Sequence, residues 1–229
     1  MTDRTYPGIQ PKLIEEAKRR SFLPKRNEIK WLFFDVGSTL VDESRVYEER
    51  MKKTAQIAKV PYEYVYETAI AFYRENKKGD LETMKLLGVE KPKWNSEKER
   101  LYEDAEECLR KLSRCYKVGV IANQSMGTAE RLKKLGILKY IDLVVASAEE
   151  GVAKPDKRIF EIALERSGCR HEQAVMVGDR IDNDILPAKQ MGMKTVWLKQ
   201  GFGSLWKITD ESEKADLEIN HLSELLKYF

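Results

Sequence analysis

"WLFFDVGSTL", residues 31–40, decides how the rest of the chain is read. Trp31, Leu32, Phe33, Phe34 and Val36 form an almost unbroken apolar run that ends in a polar turn. A strand with one wet face alternates apolar and polar residues. A strand covered on both faces does not, and such strands are typical of parallel sheets. The pattern predicts a strand over 30–36, with Asp35 at its carboxyl end. Open α/β sheets hold their ligands there, outside the carboxyl ends of the strands.

Outward from this strand the chain changes character twice. Residues 44–114 read as helical. Tyr47, Met51, Thr54 and Ala58 recur at helical spacing, and after Pro61 a second stripe follows in Tyr62, Val65, Tyr66, Ala69, Phe72 and Tyr73. Such stripes are expected to form a helix–helix seam rather than a ligand pocket. DLETMKLLG supplies a short helix ended by Gly88, and SEKERLYEDAEECLRKLSR, 96–114, one long helix. From residue 116 the pattern alternates. Strands are predicted at 116–123, 141–147, 174–179, 194–199 and 215–219. Helices are predicted at 127–136, 155–168, 183–192 and after His221, with Pro187 expected to make the third irregular.

Strands alternating with helices of this length predict an α/β fold with a doubly wound parallel sheet. The block between the first two core strands is too long for one crossover and predicts an inserted small helical domain. The expected organisation is therefore a basic extension over 1–29, a core over 30–43 and 115–229, and a helical insert with its return helix over 44–114. PKLIEEAKRR in the extension suits a short surface helix.

Composition narrows the function. Forty-one basic against 38 acidic residues give a net charge of +3, unlike the concentrated basic face of nucleic-acid-binding domains. No apolar run approaches the length of a membrane span. Cys108, Cys115 and Cys169 lack metal or redox spacing and read as reduced thiols of a cytoplasmic protein. His171 and His221, both in polar surroundings, are expected at the surface, so histidine-based triads are not expected.

The polar residues at the predicted strand ends are Asp35, Asn123, Ser147 and Asp179. Their convergence in one sheet predicts a site. Asp-Val-Gly-Ser-Thr itself fits two chemistries. One is the phosphate-holding turn of sugar kinases and actin-like proteins, but a β-hairpin should then follow, with a second Asp-x-Gly turn, and neither is present. The other comes from "GVAKPDKRIF", with Lys154 before a helix start, and "VMVGDRIDNDI", with Asp179 at a strand end and Asp184 one turn on. With Asp35-x-x-x-Thr39 and Asn123, these elements in this order resemble the haloacid dehalogenase superfamily of aspartate-nucleophile phosphatases. The resemblance spans about 30–229, with the helical insert where that family carries its cap.

The resemblance implies a Mg²⁺-dependent hydrolase acting on a small phosphorylated metabolite, with no nucleic-acid or membrane partner. Asp35 would be the nucleophile, since a carboxylate attacking phosphorus divides one hard step into two through an aspartyl-phosphate. Asp35, Asp179 and the backbone carbonyl of Gly37 would hold the metal, an oxygen set that suits Mg²⁺. Lys154 would neutralise Asp35 and the phosphoryl oxygens. Ser38, Thr39 and Asn123 would contact phosphate, with turn amides at Gly37 and Ser38 facing it. Asp184 would position Lys154 or a metal-bound water. Asn183, a supporting candidate, and Asp182 are weaker ones, and both suit a cap of the following helix.

Two positions depart from the family. Its phosphatases carry a second Asp two residues after the nucleophile, which protonates the leaving oxygen and later activates water. Here that residue is Gly37. The second core strand normally ends in a Ser or Thr that holds phosphate, and here it ends in Ala122. Loss of a general acid–base costs about 10²–10⁴ in rate, so good leaving groups such as aryl or acyl phosphates are expected to be preferred over alkyl esters. Ser38, Gln124 or Ser125 are candidates to replace the missing hydroxyl. The departures also admit a catalytically degenerate protein that binds a phosphate ligand or a protein partner. Dehalogenation is a poorer match, because the family's dehalogenases carry an aromatic at position 37. Phosphonate cleavage would need a cap lysine, for which Lys52, Lys53 and Lys59 are available.

Overall fold

The computed structural model describes residues 28–229. The expected extension up to residue 27, and the helix expected within it, lie outside the described residues.

The core is a six-stranded parallel sheet. Its strands are β1 (Trp31–Phe34), β4 (Lys117–Ala122), β5 (Leu143–Ala146), β6 (Ala174–Gly178), β7 (Lys194–Leu198) and β8 (Leu217–Ile219). Their order across the sheet is β5-β4-β1-β6-β7-β8. The chain winds one way from β1 to β5 and then crosses back to β6, so the switch point lies at β1. Successive side chains point to opposite faces, and the unbroken apolar runs are explained by cover on both. Leu32, Phe34, Val118, Val120, Val175 and Val177 pack beneath the helix Ala105–Leu112 and the C-terminal turn Leu222–Lys227. Phe33, Ile121, Val145 and Met176 face the helix Lys157–Ser167 through Ile159, Phe160 and Ala163.

Register fixes what meets at the carboxyl edge. Phe34 is level with both Val120 and Val177. Asp35 therefore follows directly above them, and its N–H donates to the Val177 carbonyl at 2.9 Å. Asp179 follows Gly178 on the adjacent strand. In-register parallel pairing is what brings two acids, 144 positions apart in the chain, to one edge.

The insert holds helices Ser44–Ala58, Tyr62–Arg74 and Gly79–Leu86. Its seam contains Met51, Ala55, Val65, Ala69 and Tyr73, and it packs on Phe202 and Leu205 of the core. Tyr66, from the same sequence stripe, is exposed. The single long helix expected over 96–114 does not form. A 3₁₀ turn Ser96–Lys98 leads into strand β3 (Arg100–Leu101), and only Ala105–Leu112 is helical. The reason is pairing: β3 runs antiparallel to β2 (Val41–Asp42), making a two-stranded ribbon from the two connections between core and insert. A second correction concerns 183–192. Residues Ile181–Ile185 form a π-helical turn, and an α-helix follows only over Leu186–Gln190, with Pro187 in its first turn. A third concerns Pro155, which precedes the helix Lys157–Ser167 instead of lying in it; the Lys154–Pro155 peptide is cis and Asp156 caps the helix.

All three cysteines are free, with Cys115 exposed, and both histidines are exposed. Among the described residues no helix is long and apolar enough to cross a membrane.

Candidate active site

A cavity of about 580 Å³ opens at the carboxyl edge of β1, β4 and β6, between the sheet and the insert. Asp35, Gly37, Ser38, Asn123, Lys154, Asp179, Asn183 and Asp184 all line it. Thr39 does not. It is fully buried, and its hydroxyl has no hydrogen-bond partner. Ser147 is also absent from the lining; its hydroxyl accepts from the Gln124 N–H at 3.1 Å.

Three carboxyls converge at the floor. One oxygen each from Asp35, Asp179 and Asp184 lies within 4.8 Å of the others. Lys154 Nζ donates to Asp35 Oδ1 at 2.6 Å and to Asp184 Oδ1 at 2.5 Å. The lysine side chain is 1% exposed. Burial opposes its charge, but Asp184 and Asp35 outweigh burial and push the ammonium up to about 12. Its backbone is clamped by one side chain: Asn123 Oδ1 accepts from the Lys154 N–H at 2.7 Å, and Asn123 Nδ2 donates to the Lys154 carbonyl at 2.8 Å. Both halves of the Asn123 amide are thus engaged within the protein. Sequence reading expected that amide on phosphate.

Asp184 is set by the π-helical turn, and the Arg180 N–H donates to its Oδ2 at 3.0 Å. A Cβ on Gly178 would lie 2.4 Å from the Asp184 carboxyl, so a side chain there is sterically excluded. Burial raises Asp184 to about 6 despite Lys154. Burial, reinforced by Asp184 and Asp35, raises Asp179 well above the usual carboxylate range. No hydrogen bond or ion pair from a described residue reaches the Asp179 carboxyl. The one ammonium bonds two of the three carboxyls, Asp35 and Asp184, and leaves Asp179 in a buried place where isolated charge is costly. The donors are oxygens only, which suits a hard divalent cation such as Mg²⁺. Asp35, Asp179 and Asp184 fit such an ion.

The turn after β1 corrects one expectation. The Ser38 N–H donates to the Val41 carbonyl at 2.8 Å and is not free to face a phosphate. Ser38 itself adopts a left-handed backbone, φ 55°. The Asn183 side chain makes no hydrogen bond to a described residue, while Asp182 pairs with Arg180 at 2.7 Å instead of capping a helix. Ala122 ends β4 and is fully buried. Gln124 and Ser125 reach the cavity, and both accept hydrogen bonds from Arg131, the second at 3.0 Å.

Several lining residues went unread in the sequence. Glu43 is buried beside Gly37, and burial, then Asp35 and Glu99, lift its carboxyl to about 8. Arg131 and Arg180 also line the cavity, as does Arg50, which pairs with Asp80 at 2.9 Å beneath the Trp94 ring. Tyr47 and Tyr73 meet Phe202 edge-on and stacked, with centroids 5.0 and 4.6 Å apart. These aromatics hold the insert over the cavity. Lys78, Lys91 and Lys93 bring positive charge to it from the insert. Lys52, Lys53 and Lys59 do not line it, and the first two pair with Glu48 and Glu49.

A family model described as haloacid dehalogenase-like hydrolase matches residues 29–192. The chain is 29% identical over 222 residues to the glyceraldehyde 3-phosphate phosphatase of Pyrococcus furiosus, covering 87% of this chain and 92% of that one. Identity to the glyceraldehyde 3-phosphate phosphatase of Methanocaldococcus jannaschii is 40% over 111 residues. That match covers 48% of this chain and 47% of the relative, about half its length. Among solved structures, a HAD phosphatase from Thermococcus onnurineus superposes with a TM-score of 0.62 at 25% identity, covering 87% of this chain and 97% of that one.

Proposed function

We propose, because this chain belongs to the haloacid dehalogenase-like hydrolase family, that it is a Mg²⁺-dependent phosphatase of a small phosphorylated metabolite working through an aspartyl-phosphate on Asp35. The observation that carries this reading is the convergence of Asp35, Asp179 and Asp184 with the buried Lys154 at the sheet's switch point.

Asp35 is the nucleophile. Lys154 occupies its Oδ1, which orients the carboxylate and leaves the other oxygen for attack. The same ammonium stabilises charge on the phosphoryl oxygens, and Asp184 holds it in place. Asn123 positions Lys154 by fixing its backbone. Asp35, Asp179 and the Gly37 carbonyl would hold Mg²⁺, with Asp184 beside them; the ion, when bound, offsets phosphate charge and polarises phosphorus. The helical insert serves as a cap that excludes water. Its Lys78, Lys91 and Lys93, with Arg131 from the core, suit an anionic substrate. The cavity volume suits a compact ester, and the named relatives make glyceraldehyde 3-phosphate the first substrate to try.

The test is phosphate release from glyceraldehyde 3-phosphate and p-nitrophenyl phosphate, with and without Mg²⁺, by wild type and Asp35→Asn. Mg²⁺-dependent turnover that vanishes in Asp35→Asn is expected. No Asp35-dependent turnover of either ester would instead favour a phosphate-binding protein without catalysis, the role suggested by Ala122 in place of a hydroxyl.

A further inference from the structure

Position 37 has no side chain, yet the space beside it is filled. A Cβ built on Gly37 would meet Glu43 Oε1 at 2.6 Å, Oε2 at 2.7 Å and the carboxyl carbon at 2.8 Å. The Glu43 carboxyl thus stands where a side chain at 37 would project. It lines the same cavity as Asp35 and Lys154 and is 8% exposed. Its one hydrogen bond to a described residue is a 3.5 Å contact from Ser38 Oγ. The nearby guanidinium groups are engaged elsewhere, Arg50 with Asp80 and Arg131 with Gln124 and Ser125. A buried carboxyl without a cation bonded to it is costly to keep. Glu43 is the cap residue of the helix Ser44–Ala58, yet its side chain makes no capping hydrogen bond.

We propose that Glu43 is the general acid–base of the reaction, reaching from the first residue before the cap's leading helix into the place left open by Gly37. This rests on Asp35 being the nucleophile. In the first step an Asp35 oxygen forms a bond to phosphorus. The bond from phosphorus to the ester oxygen breaks, its electron pair stays on that oxygen, and the Glu43 proton transfers to it. A neutral alcohol leaves and Glu43 is a carboxylate. In the second step Glu43 takes a proton from water as the water oxygen bonds to phosphorus. The bond from phosphorus to Asp35 breaks, its electrons return to the Asp35 carboxylate, orthophosphate departs and Glu43 is protonated again. The strong preference for aryl esters expected from Gly37 alone is then reduced.

The experiment compares kcat/KM, which reports the steps through release of the alcohol, on an alkyl ester, glyceraldehyde 3-phosphate, with kcat/KM on p-nitrophenyl phosphate. It uses wild type, Glu43→Gln, Gly37→Asp and the double variant Gly37→Asp/Glu43→Ala, all with Mg²⁺. Glu43→Gln is expected to lose about 10²–10⁴ in kcat/KM on the alkyl ester and far less in kcat/KM on the aryl ester, whose leaving oxygen needs no proton, while hydrolysis of the aspartyl-phosphate, common to both, slows equally. Gly37→Asp alone is expected to fail, since two carboxyls would contend for one space. The double variant is expected to regain alkyl turnover to within an order of magnitude of wild type. Unchanged alkyl kcat/KM in Glu43→Gln, or an equal loss of kcat/KM on both esters, would overturn the proposal. Should Glu43→Gln not fold, the double variant decides: recovery supports the role and its absence overturns it. Asp35-dependent turnover indifferent to Glu43 sinks only this inference, whereas no Asp35-dependent turnover sinks the parent reading too.

Discussion

Lys154 and Asp184 form an ion pair at 2.5 Å in which each side chain is 1% exposed. Removing one partner of a buried pair costs about 3–5 kcal/mol, because the other charge is left uncompensated. Lys154→Met is therefore expected to destabilise the protein by about that amount in EDTA, with the unfolding midpoint in urea as the measure. It should also abolish phosphatase activity. A midpoint within error of wild type would show that the pair is dispensable.

The acids at the site carry a sign for the pH dependence of stability. In the metal-free protein Glu43 is raised from 4.5 to about 8 and Asp184 from 3.8 to about 6, both chiefly by burial. An acid whose pKa rises on folding holds its proton more tightly in the native state. Its contribution is present below the unfolded value and is lost as pH climbs through the folded one. The melting temperature in EDTA should accordingly fall between pH 4.5 and 8. The added stability from Mg²⁺ should grow over the same range, because binding must displace protons. A melting temperature that rises with pH in EDTA would contradict this.

Gly178→Ala tests the close approach between β6 and the π-helical turn. The added methyl would lie 2.4 Å from the Asp184 carboxyl. Overpacking of this kind costs about 1–3 kcal/mol. Because the displaced group holds Lys154, activity should fall further than stability. Thermal melts and kcat on the same preparation will show whether the two losses separate.

Asn123→Ala removes both hydrogen bonds that fix the Lys154 backbone. The expected result is a fall in kcat with Mg²⁺ affinity retained, since Asn123 is not among the converging carboxyls. Isothermal titration with Mg²⁺ beside steady-state kinetics measures both. Loss of metal binding would show that Asn123 acts on the acids instead.

Much of the fold was legible because burial on both faces leaves unbroken apolar runs, as in Leu32, Phe33 and Phe34. Asp35 and Asp179 could be paired in advance because parallel register puts strand ends side by side. Lys154 and Asp184 followed from the family resemblance. The β2–β3 ribbon was not readable, since Arg100 and Leu101 lie inside a helix-like stretch and become a strand only through pairing with Val41 and Asp42. Thr39 was misjudged because its hydroxyl is buried away from the cavity; Asn123 and the Ser38 amide were misjudged for another reason. Residue type gives hydrogen-bonding capacity, but only coordinates show which partner has already taken it. Glu43 was missed because its nearness to Gly37 depends on the turn over residues 37–41, where the Val36 carbonyl accepts from Thr39, Leu40 and Val41.

Gly37 and Glu43 are shaped to each other, six positions apart. Scored column by column, such a protein shows a glycine where the resemblance to the family implies an acid, although the volume itself holds a carboxyl. Inventories of inactive enzymes drawn up from aligned positions will misfile chains in which a neighbouring loop has refilled the empty seat.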